Sequence, residues 1–207
     1  MEGIRMAEIM IYMSSEEEAL VERAKRGERE AFDELYQRYK RPILNYIYRF
    51  IGDRAQAEEL TQEVFVRAYI NIQRFELRAR FSSWLYRIAA NLSKNLLRHL
   101  QYEKKVTPVE NGYGGEEEAP GLVENIEDKT RGPDESVQAK ETQRLVQEAI
   151  NKLPASLKEA VILCDIQGFS YEEAAKTMGC NPMTVGSRLW RGREKLTKLL
   201  GYMKNGE

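Results

Sequence analysis

The chain has 207 residues, 42% of them hydrophobic and 31% charged, with 32 Lys and Arg against 33 Asp and Glu for a net charge of −1. That length holds one or two domains with real cores, and the balance is that of a soluble globular protein, somewhat polar. No apolar run approaches the ~20 residues of a membrane span, none being longer than that from Ala160 to Cys164, so the protein is expected to be cytoplasmic with no span of its own.

Residues 1–13 hold four methionines without periodicity and read as an N-terminal tail; Glu2 and Glu8 and the lack of an apolar core argue against a secretion signal. Ser15 and Glu18 have capping-box spacing for a short helix that Gly27 ends. Phe32, Leu35, Tyr36, Tyr39, Ile43, Ile47 and Phe50 then make one broad apolar face, inside which Pro42 should kink or split the helix, and Gly52 closes it. Asp53 and Gln56 form another box, opening a helix to about Asn71. Its Ala57, Leu60, Val64 and Ala68 face inward, whereas Glu58, Glu59, Gln62, Glu63 and Arg67 leave a mostly acidic strip outside, by charge alone a solvated surface.

The next helix starts at Ser82 or Ser83. Leu85, Ile88, Leu92 and Leu96 form its inner stripe, and Arg87, Asn91, Lys94, Asn95 and Arg98 the opposite one. Cations mixed with amides suit nucleic acid better than the Glu–Lys pairs of a plain solvated face. Phe81 and Trp84 read as core residues rather than base-stacking platforms.

Composition changes at about Glu103. Nine acids between Glu110 and Glu135 oppose Lys129 and Arg131, among glycines and prolines, which reads as an acidic flexible linker. Helices resume at about Ser136, one of them starting at Leu153-Pro154 and running through Cys164, with Ser156 and Glu159 as a further box. Then comes FSYEEAAKTMGCNPMTVGSRLWRGREKL. Ser170 and Glu173 form a capping box, Gly179 suits the left-handed exit from a helix, Asn181 can cap the next one, and Pro182 suits its first position. Two helices joined by a tight turn have the form of a DNA-reading helix-turn-helix. On the second, Val185, Leu189 and Leu196 face inward, with Gly192 allowing a close neighbour. Thr184, Ser187, Arg188, Arg191 and Lys195 step along the other face, hydrogen-bonding groups first and cations last, an order that suits base edges and then phosphates.

No strand-like alternation occurs at any length. The chain is expected to be all-α: two small helical bundles joined by the linker, with a tail at 1–13, a first bundle at 14–101, the linker at 102–135 and a helix-turn-helix bundle at 136–207. Neither Cys164 nor Cys180 has a CxxC partner and His99 is the single histidine, so no metal site is expected and both thiols read as reduced, Cys164 in a core. There is no phosphate-binding glycine loop and no nucleophile–base pair, so neither catalytic residues nor a cofactor are expected.

DRAQAEELTQEVFVRAY, RFSSWLYRIAANLSKNLLRH and LPASLKEAVILCDIQGFSYEEAAKTMG with its following helix come in an order and spacing that resembles bacterial RNA polymerase sigma factors of the extracytoplasmic-function group, from about Glu18 to Leu200. The resemblance implies a sigma region 2-like domain followed by a region 4-like one, and a non-enzymatic initiation factor that directs core RNA polymerase to promoter DNA. It implies core-polymerase binding at Glu58, Glu59, Gln62, Glu63 and Phe65, −10 reading and melting at Arg87, Asn91, Lys94, Asn95 and Arg98, and −35 reading at Thr184, Ser187, Arg188, Arg191 and Lys195. It also implies an anti-sigma factor as partner. The chain departs from the family pattern at Asn95, Met183 and Gly186, which bears on promoter sequence. From the residues alone, a stand-alone helix-turn-helix regulator and a helical protein–protein adaptor are the other readings.

Overall fold

A computed structural model describes residues 16–76, 80–106 and 133–205, with side chains over 16–76, 80–102 and 141–202. The expected tail, residues 107–132 of the acidic linker, and Ser15 of the first capping box lie outside the described residues. The elements are α1 (16–25), α2 (Arg29–Ile51), α3 (Arg54–Asn71), a 3-10 turn (Ile72–Arg74), α4 (Phe81–Val106), α5 (Pro133–Asn151), α6 (Ala155–Val161) continued by a π-turn (Ile162–Ile166), α7 (Tyr171–Met178) and α8 (Pro182–Asn205). Among the described residues there is no strand.

In α2 the expected face is the buried one: Leu35, Ile43, Ile47 and Phe50 are wholly enclosed. Tyr36 and Tyr39 pack beside them, edge-on to Phe65 at 4.8 Å and tilted on Phe81 at 5.8 Å. Pro42 does not split the helix, which runs unbroken from Arg29 to Ile51. Proline costs a backbone bond and crowds the carbonyl one turn back, but Leu35 on one side and Ile43 on the other are both locked into the core, and tertiary packing overrides the local penalty. Gly52 ends α2 at φ 84°, with its N–H donating to the Tyr48 carbonyl at 2.8 Å.

Asp53 caps α3 by accepting from the Gln56 N–H at 2.8 Å. The start of α4 is set from a distance. The helix begins at Phe81, and Glu17 on α1 accepts from the Phe81 N–H at 3.1 Å and from the Tyr39 hydroxyl at 2.5 Å. Ser83, one of the expected starts, is buried inside the helix. Likewise α6 begins behind Pro154 without a side-chain cap, so Ser156 and Glu159 do not form a box. Glu159 is 2% exposed and turns instead toward α4.

The two halves share a core. Ile150, Ile162, Leu163, Ala174, Ala175 and Val185 belong to the same buried cluster as Leu85, Ala89 and Leu92, and α7 packs along α4. Polar contacts line this seam. Tyr86 donates to Gln167 Oε1 at 2.7 Å and lies edge-on to Phe169 at 4.8 Å. Arg80 pairs with Glu173. At the end of α2, Lys158 Nζ donates to the Phe50 carbonyl at 3.0 Å and Gln147 Nε2 to the Arg49 carbonyl at 3.1 Å, so two cation-seeking carbonyls of a helix C-terminus are met by groups from the second half.

Candidate nucleic-acid interface

The helix-turn-helix is built as its sequence specifies. Both hydrogen bonds of the Ser170–Glu173 box are made, at 3.2 and 2.9 Å, and Gly179 leaves α7 at φ 65°. Asn181 Oδ1 then accepts from the Thr184 N–H at 2.7 Å, which fixes the first turn of α8. Val185 and Leu189 are buried and Leu196 half-buried. Gly192 is pressed against α6: a Cβ there would lie 2.6 Å from Val161 Cγ2 and 3.4 Å from the Leu157 carbonyl. This close contact holds α8 so that its other face points outward.

On that outward face Ser187, Arg191 and Lys195 are exposed, and Thr184 and Arg188 half-buried. Ser187 donates to the Met183 carbonyl at 3.1 Å, leaving its oxygen as an acceptor. Arg188 leans its guanidinium to 3.8 Å from the Cys180 sulfur. Beyond them Arg193 forks onto Asp165 through two nitrogens, tying α8 to the π-turn. Cys180 and Cys164 are both free thiols, half-buried, and burial pushes the Cys164 thiol up.

On α4 the five polar residues fall on one side, with Leu85 and Leu92 buried behind them. Arg87, Asn91, Asn95 and Arg98 are exposed, Arg98 donating to Asn95 Oδ1 at 2.6 Å. Lys94 stands apart. It is half-buried, and its ammonium sits 2.8 and 2.7 Å from the two oxygens of Glu159. Burial raises the Glu159 carboxyl above its ordinary range, opposed by the bond from Lys94.

The strip on α3 presents Glu58, Glu59 and Gln62 to solvent, with Glu63 half-buried. Glu58 and Glu63 form ion pairs along the helix with Arg54 and Arg67. Phe65 does not belong to this surface. It is 4% exposed and packs against Tyr36, because it falls on the same helical side as Val64 and Ala68. The exposed apolar residues of α3 are Val66, Tyr69 and Ile70, which carry no charge to mark them in the sequence. Among the described residues no cluster of ligating side chains could hold a metal ion, and no helix is long and apolar enough to cross a membrane.

Paired helical units, the second carrying a helix-turn-helix with an outward polar face, define a class of helical DNA-binding proteins. Within it, residues 35–102 match the model of Sigma-70 region 2, and residues 143–196 that of Sigma-70 region 4. The chain is 35% identical over 89% of its length to the RNA polymerase sigma-H factor of Pseudomonas aeruginosa, covering 94% of that protein. It is 33% identical over 87% of its length to the ECF RNA polymerase sigma-E factor of Haemophilus influenzae, covering 93%. Its fold is like that of the sigma factor RpoE solved with the anti-sigma factor NepR from Bartonella quintana, with a TM-score of 0.59 and 23% identity over 82% of this chain and 96% of that one. The chain belongs to the extracytoplasmic-function sigma factors of the sigma-70 family.

Proposed function

We propose that this sigma factor reads the −35 element with Thr184, Ser187, Arg188, Arg191 and Lys195 on α8, and the −10 element with Arg87, Asn91, Lys94, Asn95 and Arg98 on α4. Short hydrogen-bonding groups near the start of α8 would meet base edges, while Arg191 and Lys195 would meet phosphates. On α4, cations and amides would hold the opened strand, and binding of that strand supplies the energy for melting. Core RNA polymerase docks on Glu58, Glu59, Gln62 and Glu63, with Phe65 holding α3 in place from behind. No covalent step is assigned to the chain, and its site of action is the cytoplasm.

The observation that carries this reading is the pair of polar faces, outward on α8 and, at Arg87, Asn91, Asn95 and Arg98, on α4, each backed by a buried apolar stripe on its own helix. The test is transcription from a genomic promoter library by purified core polymerase with and without the protein. Start sites that depend on it, lost with Arg188→Ala and Arg191→Ala together, are the expected result. Tight binding of the isolated chain to duplex promoter, with no new starts when core is added, would instead identify a stand-alone regulator.

An anti-sigma protein is the second partner assigned here, supported by the likeness to RpoE in its complex with NepR. Affinity capture from cells should recover such a protein beside polymerase; recovery of polymerase alone would remove it.

A further inference from the structure

We propose that Met183 is a specificity residue of the −35 face, reading the 5-methyl group of a thymine in the major groove. The proposal rests on the reading of α8 as the −35 helix. It adds to that face a side chain with neither a charge nor a hydrogen-bond donor.

The first argument is exposure. Met183 is 84% exposed, ahead of Ile70, Tyr102 and Trp190, the next most open large hydrophobic side chains among the described residues. Gly186, three residues on and so beside it on the helix surface, has no side chain to cover it. The Tyr171 ring borders that glycine, where a Cβ would lie 3.5 Å from its Cε2. An apolar side chain standing in water gains nothing in the free chain, and gains on burial against a partner.

The second argument is position. Met183 follows Pro182 as the second residue of α8, in the turn that Asn181 caps. The N-terminal residues of a docked recognition helix are those that meet base edges. Its arm is unbranched and adaptable, so it can settle against an irregular surface. Of the groups that base pairs present in the major groove, the thymine methyl is the apolar one. An exposed methionine at this place has that methyl as its complement.

The third argument is the company Met183 keeps. At 3.6 residues per turn, Met183 and Ser187 stand ~40° apart around the helix. The Ser187 hydroxyl donates to the Met183 carbonyl at 3.1 Å, which leaves its oxygen to accept. An acceptor oxygen beside an apolar tip matches an A·T pair, whose groove edge offers the adenine amino group and the thymine methyl. A G·C pair also offers an amino group, on cytosine, but no methyl. Met183 thus supplies a distinction that Ser187 by itself lacks. Arg188, the first cation of the face, falls ~140° around from Met183, with its guanidinium 3.8 Å from the Cys180 sulfur. The edge formed by Met183 and Ser187 is therefore apolar and hydroxylic.

The test uses holoenzyme, the full chain on core polymerase, and promoter duplexes carrying the −35 element recovered from the promoter library. Each thymine of that element, on either strand, is replaced in turn by deoxyuridine, which lacks the 5-methyl group and keeps every hydrogen-bonding atom. One replacement should weaken wild-type binding about four-fold, the factor for one methyl-sized group returned to water. Met183→Ala should lose about the same factor on the thymine duplex and bind the deoxyuridine duplex equally well, with an unchanged melting temperature. Met183→Leu, still apolar and long, should restore the preference for thymine. Wild-type holoenzyme indifferent to every deoxyuridine would overturn the proposal, as would a preference that survives undiminished in Met183→Ala. Indifference joined to weaker binding of core by Met183→Ala would assign the side chain to a protein contact and overturn it equally. Transcription keeps the two readings apart: promoter-specific starts from an indifferent holoenzyme would sink the methyl contact alone, whereas absent starts would sink the −35 reading beneath it.

Discussion

Lys158 shows how one buried cation makes stability depend on pH. Burial lowers its pKa from 10.5 to about 8, so between these values the folded state binds fewer protons than the unfolded one. Stability therefore gains a rising contribution from about pH 8 to 10.5, and carries the full penalty below pH 8. Lys158→Met should flatten that rise in denaturant midpoints measured across this window, while losing the bond to the Phe50 carbonyl. Gly192 makes a steric prediction. Alanine favours a helix over glycine by up to about 1 kcal/mol, yet its Cβ would overlap Val161 Cγ2 and press on backbone at Leu157. Overpacking of this kind costs about 1–3 kcal/mol, so Gly192→Ala should destabilise the protein by about 1 kcal/mol or more in urea unfolding. A stabilised variant would mean that α6 can retreat without loss.

At the scale of elements, the helix-turn-helix rests on local bonds whose removal can be measured. Ser170→Ala deletes the acceptor of the Glu173 N–H, and Asn181→Ala that of the Thr184 N–H. Each should cost about 0.5–2 kcal/mol. The two should differ in function: Asn181→Ala frays the first turn of α8 and so should weaken −35 binding more than its stability loss explains, whereas Ser170→Ala should lower the melting temperature with little effect on a bound promoter at 25 °C. These elements were legible because their signals lie within three or four residues of each other. So were the faces of α2, α3 and α8, where apolar spacing decided which side is buried. What was not legible lay between elements distant in sequence. Glu159 has box spacing to Ser156, but its partner Lys94 is 65 residues away. Ser82 or Ser83 is where the sequence places the start of α4, but the helix begins at Phe81, whose N–H is bound by Glu17 from 64 residues away. The resemblance puts Phe65 on the polymerase-binding surface, although its position beside Val64 and Ala68 turns it inward. Nothing in composition marks a carboxylate as destined for burial.

For the whole molecule the shared core predicts joint unfolding. Leu163, from the π-turn, is wholly buried in the cluster that also holds Leu85 and Leu92. Leu163→Ala should cost about 2–5 kcal/mol. Trp84, half-buried against Phe75 and Phe81 at 5.2 and 5.6 Å, reports on the first half. If the halves melt as one, its emission, isolated by replacing the exposed Trp190 with Phe in both proteins, should shift to the lower midpoint of the variant although the substitution lies in the second half. A Trp84 transition that stays put while helicity of the second half falls would show two independent units.

The long reach of the seam contacts also has a consequence in time. A ribosome adds about 5–20 residues each second, and 65 residues separate Lys94 from Glu159. The cationic side of α4 thus leaves the ribosome about 3–13 s before the carboxylate that will enclose its lysine. During every round of synthesis the first half is bare, and whatever reaches it in those seconds meets no competition from the rest of the chain.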